Sequence, residues 1–143
     1  AGRTAAQHGA QFLHDGSVIV LDNLGGEREL GGTRIVRINL VTGASETLFP
    51  KGHEKALLPV FTETAGQIDV SGDGRRALLS ITHQGRLIEI DVASGEPLWS
   101  YENTHDIAPF LEKAGIKSDK TRARFATYGA YYVSNLDFLK EQK

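Results

Sequence analysis

The feature that most constrains this chain is an internal repeat. When Asp15-Gly16 is set against Asp73-Gly74, Ser17-Val18-Ile19-Val20-Leu21 falls on Arg75-Arg76-Ala77-Leu78-Leu79. When Gly43 is set against Gly95, Arg34-Ile35-Val36-Arg37-Ile38-Asn39 falls on Arg86-Leu87-Ile88-Glu89-Ile90-Asp91. Two halves of one unit therefore recur in the same order, and such a unit buries its apolar face by stacking on its neighbour. On this alignment the first unit opens with His8 to Asn23 and the second begins at Gly66, the residue that matches His8.

Each unit reads as four strands. In the first copy an apolar strand, Ala10 to Leu13, meets a tight turn at Asp15-Gly16 and returns as Ser17 to Leu21. That is a hairpin by turn chemistry and β-branched content. The next connection is long in one copy (Leu24 to Gly32) and short in the other (Thr82 to Gly85), and insertions of this kind fall on exposed loops. Third and fourth strands are joined at Thr42-Gly43 and Ser94-Gly95, which makes Ala44 to Phe49 and Glu96 to Tyr101 the fourth strands. Trp99, the single tryptophan, reads as core between stacked units.

This is the pattern of a β-propeller blade in an all-β chain, with one blade at 7–52 and a second at 66–104. A helical insertion and a partial third blade occupy 105–143. Within that stretch Ile107 to Gly115 reads as a short helix with Pro109 near its start and Gly115 near its end. Ala123 to Val133 reads as further strand, and Asn135 to Lys143 as a short helical or frayed tail. Two blades and a part do not close a ring, so the expected complement is more of the propeller chain or other copies of this one. Methionine is absent, position 1 included, which favours more chain.

Composition removes several function classes. With 40% hydrophobic and 24% charged residues the chain has the balance of a folded domain. A formal net charge of −2 supplies no field for nucleic acid. No apolar run reaches the roughly 18 residues of a membrane span. The absence of cysteine excludes disulfides, thiolate-bound metal and cysteine nucleophiles. The five histidines are scattered one per loop, and no P-loop, dinucleotide fingerprint or nucleophile elbow is present, so neither metal nor cofactor is expected.

The runs QHGAQFLHDGSVIVLDNLGG, TRIVRINLVTG and FTETAGQIDVSGDGRRALLSITHQGRLIEIDVASGEPLWSYEN resemble the C-terminal blades of bacterial arylsulfotransferase-like proteins. The likeness lies in the Gln-His, Asp-Asn, Gly-Gly and Trp-x-Tyr signposts and covers Gln7 to about Tyr132. The resemblance implies a six-bladed propeller, periplasmic or extracellular, in which a channel histidine takes a sulfuryl group from a phenolic sulfate ester and passes it to a phenol without a cofactor. It carries His8 over as the catalytic candidate and places the family's other catalytic positions upstream of Ala1. The chain departs from the family pattern at Ser71-Gly72-Asp73-Gly74 and after Trp99. The alternative is a propeller scaffold or protein-binding module without transfer activity, since fold does not set function.

Propeller topology sorts the histidines. Loops before a first strand and after a second share one rim, so His8, His53, His83 and His105 are expected there and His14 at the opposite face. An imidazole with a pKa near roughly 6.5 is largely neutral at pH 7 and able to attack sulfur. Transfer also needs donors for the sulfate oxygens and a proton donor for the leaving phenolate. The substrate-binding candidates are Gln67, His83, His105, Arg122 and Arg124, the two arginines sharing one side of a strand by period two. Each has a plainer reading. His8 is also an ordinary residue at a strand entrance, His83 and His105 ordinary loop residues, and Arg122 and Arg124 an exposed basic edge beside Lys117 and Lys120. Phe125, Tyr128, Tyr131 and Tyr132 supply either an aromatic wall for phenols or packing between blades.

Overall fold

The computed structural model describes residues 4–116 and 126–134. It is an all-β structure of two four-stranded antiparallel sheets, each laid out in chain order. The first comprises β1 (Gln7–Phe12), β2 (Val18–Asp22), β3 (Arg34–Ile38) and β4 (Ser45–Phe49). The second comprises β5 (Gln67–Val70), β6 (Arg76–Ile81), β7 (Arg86–Asp91) and β8 (Pro97–Glu102). A short helix, α1 (Ala108–Lys113), follows, with Pro109 in its first turn and Gly115 just beyond it, as the sequence predicts.

Aspartates close the turns. The Asp15 carboxylate accepts hydrogen bonds from the Ser17 N–H (3.0 Å) and hydroxyl (2.6 Å), and Asp91 accepts the same pair from Ser94 at 2.7 and 2.8 Å. Asp73 accepts from the Ser71 hydroxyl (2.6 Å) and the Arg75 N–H (3.1 Å). Donors aimed at a carboxylate favour its ionised form. The Ser17 hydroxyl and N–H, helped by Arg37, hold Asp15 down at about 2. Bonds from Ser71 and Arg75 hold Asp73 below the usual carboxylate range, and the Ser94 N–H and hydroxyl do the same for Asp91.

The core lies between the sheets. Ile19, Leu21, Ile35 and Phe49 of the first sheet join Ile68, Ala77, Leu79, Ile81, Ile88 and Ile90 of the second in one cluster, each at most 1% exposed. Apolar burial of this kind is the main stabilising term of such a fold. The inner strands β1 and β5 come close at Gly9, which has φ +56° and where a Cβ would stand 2.9 Å from the Ile68 nitrogen. Glycine is the residue that meets both demands. Beside it the Gln11 side chain accepts the Val70 N–H at 2.8 Å.

Strand pairing corrects the repeat. The turns are closed by Leu13 N–H to Ser17 O in the first copy and by Ser71 N–H to Arg76 O in the second. Counting up the second strands from those pairs makes Leu21 the counterpart of Ser80. Leu21 pairs with His8 and Ser80 with Gln67, so the counterpart of His8 is Gln67 and not Gly66. The cause is an irregularity in β1 between His8 and Gln11, together with a second turn that is one residue longer. An ungapped alignment sees neither.

Two expectations fail. Trp99 is 46% exposed, because it pairs opposite Glu89 on the face of the second sheet turned away from the first. The segment read as strand from Ala123 to Val133 joins no ladder over residues 126–133. It crosses that same far face instead, with the Tyr132 N–H donating to Asp69 (2.6 Å) and the Ser80 hydroxyl to the Thr127 carbonyl. The Tyr132 hydroxyl donates to the buried Glu89, and the Arg76 guanidinium sits 5.5 Å over its ring. Burial first, then the bond to Glu89, pushes the Tyr132 hydroxyl well above its ordinary range. Residues 123–125 and the tail 135–143 lie outside the described residues, as do Arg122 and Arg124. Among the described residues no helix is long and apolar enough to cross a membrane.

Candidate functional site

The ends where β1 and β5 begin and β2 and β6 finish are built around the loop 62–65. The buried Thr62 donates its N–H to the Thr33 hydroxyl (2.8 Å), and that hydroxyl reaches the Asn23 carbonyl at 2.9 Å. Asn23, also buried, donates its side-chain amide to the Ala65 carbonyl (2.8 Å), while its Oδ1 is buried without a partner among the described residues. Asp22 is wholly buried, holding Arg34 Nε at 2.9 Å with one oxygen and the Ala5 N–H at 2.7 Å with the other. The Asp22-Asn23 pair thus ties the strand entrance to the long loop and to the second sheet.

Ala6 and Ala65 stand two residues before His8 and Gln67 respectively, at φ 58° and 61°. A residue with a Cβ is strained in that region, and such strain clusters at functional sites. At each strand entrance the strained alanine offers its carbonyl to Asn23, from the Asn23 N–H in one case (3.4 Å) and from its side chain in the other.

Two sequence candidates meet this loop. The exposed His8 accepts the Ala65 N–H on Nε2 at 3.3 Å, so in the neutral ring the proton is on Nδ1. His83 accepts the Glu63 N–H on Nδ1 at 3.1 Å, with the Thr62 hydroxyl at 3.0 Å, and carries its proton on Nε2. Its ring stacks on Phe61 with centroids 5.9 Å apart. Gln67 starts β5 at the same end but turns to the far face of the second sheet, where its Oε1 lies against Gly129.

The remaining candidates are elsewhere. His105 follows β8, three strands from Gln67, its exposed ring 6.0 Å from Phe110. His53 leaves the expected rim. Its Nε2 meets Glu96 at 3.0 Å beside the β7–β8 turn, because the loop after β4 folds down onto that turn. Its neighbour Glu54 is buried. Burial pushes that carboxyl up, and the N–H donors of Lys51 and Gly52 more than reverse the effect, holding it below the usual range. His14 sits at the opposite strand ends as expected, 3.3 Å from the Gly72 carbonyl.

Sequence reasoning passed over Arg34 and Arg86, the matched first residues of the two third strands. Arg34 is paired with Asp22, and Arg86 donates to the Leu57 carbonyl at 2.6 Å and faces Glu102 at 3.5 Å. The signal was their coincidence in the repeat alignment. A separate cleft of about 590 Å³ lies beyond Arg34, lined by Gly25, Gly26, Thr47 and Lys51 among others, and none of the predicted site residues lines it. Among the described residues no three His, Asp or Glu side chains converge as metal ligands. No known family model matches the chain, and no curated protein sequence matches it.

Proposed function

We propose that the two sheets are successive blades of a β-propeller akin to the arylsulfotransferase-like proteins, and that the end around loop 62–65 is the mouth of its channel, where His8 relays a sulfuryl group. The observation that carries this reading is the convergence of His8 and His83 on one short loop, one ring presenting a lone pair and the other an N–H. In the first step the His8 Nε2 lone pair, released from Ala65, forms a bond to sulfur. The sulfur–oxygen bond to the aryl group breaks, and the departing phenolate oxygen is stabilised by a hydrogen bond from the His83 Nε2–H. A phenol, giving its proton to solvent, then attacks the same sulfur, and the nitrogen–sulfur bond breaks to return the lone pair to His8 Nε2. By the same resemblance the site lies in a periplasmic or extracellular protein.

The test is transfer from 4-nitrophenyl sulfate to phenol, followed by release of 4-nitrophenol. The His8→Ala variant should fall to background and His83→Ala should lose much of the rate. Equal transfer by the unsubstituted and His8→Ala proteins would refute the assignment.

A second reading is a propeller scaffold without transfer activity. It is favoured by one observation, that backbone N–H groups already engage both histidine lone pairs. On that reading partner binding survives His8→Ala and fails when the 24–32 loop is shortened.

A further inference from the structure

We infer that the Ala65 N–H is an oxyanion donor, which leaves His8 Nε2 to hold an oxygen of the incoming sulfuryl group, and that Asn23 and Thr62 are its positioning residues. The inference rests on the sulfuryl relay proposed for His8 and names a further group for that step.

Two side chains hold the backbone on either side of this N–H. The peptide between Thr64 and Ala65 is trans, so its carbonyl and its N–H point in opposite directions. That carbonyl accepts the hydroxyl of the buried Thr62 at 2.8 Å. The carbonyl of the next peptide, that of Ala65, accepts the side-chain amide of the fully buried Asn23 at 2.8 Å. Beyond it Gly66 is seated against the second strands, where a Cβ would stand 2.5 Å from Leu21 Cδ2 and 2.9 Å from the Ser80 carbonyl oxygen. Between these anchors Ala65 keeps φ 61°, a conformation that a residue with a Cβ holds only when its surroundings fix it.

The histidine side of the contact is looser. His8 is exposed, and the 3.3 Å bond from Ala65 is the only hydrogen bond of its ring among the described residues. Ala65 is half-buried, so a ligand reaches the pair from solvent. When an aryl sulfate enters, the ring therefore gives way and the peptide stays. One sulfuryl oxygen takes the place of Nε2 on the N–H, and the uncovered lone pair stands beside the sulfur. A neutral acceptor is exchanged for an anionic one, and hydrogen bonds to charged groups are roughly twice as strong. A donor fixed before the charge arrives costs no reorganisation during reaction. The same exchange explains why a nucleophile rests with its lone pair engaged.

The test replaces Ala65 by lactate in the full chain, which exchanges this one N–H for an ester oxygen and keeps the side chain. In transfer from 4-nitrophenyl sulfate to phenol, kcat/KM should fall by about tenfold to a hundredfold, the cost of an oxyanion donor less the resting bond to His8 that is lost with it. An unchanged kcat/KM overturns the inference, and a raised one does too, because the N–H then only blocks the lone pair. Asn23→Leu should lower kcat/KM on its own and add nothing in the lactate chain, since a residue that acts through an N–H has no effect once that N–H is gone. A full further loss in the double variant overturns the positioning role of Asn23. A second measurement needs neither the ester nor turnover: inorganic sulfate is titrated into the unsubstituted chain, and the Ala65 amide and the His8 ring nitrogens are followed by magnetic resonance. Both should shift saturably with one dissociation constant, which Asn23→Leu should weaken by about threefold or more. Sulfate that leaves the Ala65 amide unmoved overturns the inference, whether or not the chain transfers sulfate. Saturable shifts in a chain whose transfer is unaffected by His8→Ala overturn the relay and leave Ala65 standing as an anion donor.

Discussion

Removing Arg34 should test how far the strand entrance depends on a desolvated ion pair. Asp22 is completely buried and the Arg34 side chain is 8% exposed, so neither charge has water as a substitute partner. Arg34→Met keeps the length of the side chain and deletes its charge, leaving the Asp22 carboxylate with the Ala5 N–H at 2.7 Å but no cation beside it among the described residues. Breaking a buried pair from one side costs about 3–5 kcal/mol, because the surviving charge is left uncompensated. For a chain of this size that lowers the melting temperature by about 10 °C. Adding Asp22→Asn removes the stranded charge, and the double variant should recover more than half of the loss. Thermal and urea unfolding followed by circular dichroism give both quantities. If Arg34→Met stays within about 1 kcal/mol of the unsubstituted chain, the pair is solvated and the reasoning from burial is wrong.

Acid should act first on the turns. The Asp15 carboxyl titrates at about 2 in the folded chain, below its unfolded value of roughly 3.9, and Asp73 and Asp91 are shifted in the same direction. Their contribution is complete above the unfolded value and is lost as pH falls from about 4 through 2. Urea midpoints measured across that window should decline less in an Asp15→Asn, Asp73→Asn, Asp91→Asn variant; parallel declines would contradict the assignment. In the core, Leu79→Ala at a fully buried position should cost about 2–5 kcal/mol, whereas Trp99→Ala on the uncovered face should cost less than about 1 kcal/mol. Comparable losses in chemical denaturation would mean that the far face is packed after all.

The repeat, the four strands of each unit and the Asp-Gly turns were legible in the sequence because each has a local cause. β-branched runs favour extended backbone, and an aspartate accepts hydrogen bonds from donors two or three residues on, so no distant partner needs to be known. The helix at 108–113 was legible for the same reason, through Pro109 and Gly115. Less of the site could be read. His8 and His83 were named from rim topology, yet their meeting on loop 62–65 and the nitrogen that holds each proton depend on backbone donors more than fifty residues from His8 and about twenty from His83. Arg34 looked like one more charged strand residue until Asp22 was found buried beside it.

By itself, then, the sequence determined an all-β chain of two like units and the chemistry of their turns, since these follow from propensities acting over a few residues. Only the tertiary structure decided the register. One irregular residue in β1 and one extra in a turn make Gln67 the counterpart of His8, and alternation along a strand turns that one-residue difference into a change of face. The exposure of Trp99 has the same origin, because which side of β8 meets another sheet is set by how the sheets stack. Stacking is a long-range contact, and a run of residues such as PLWSYE is compatible with either side.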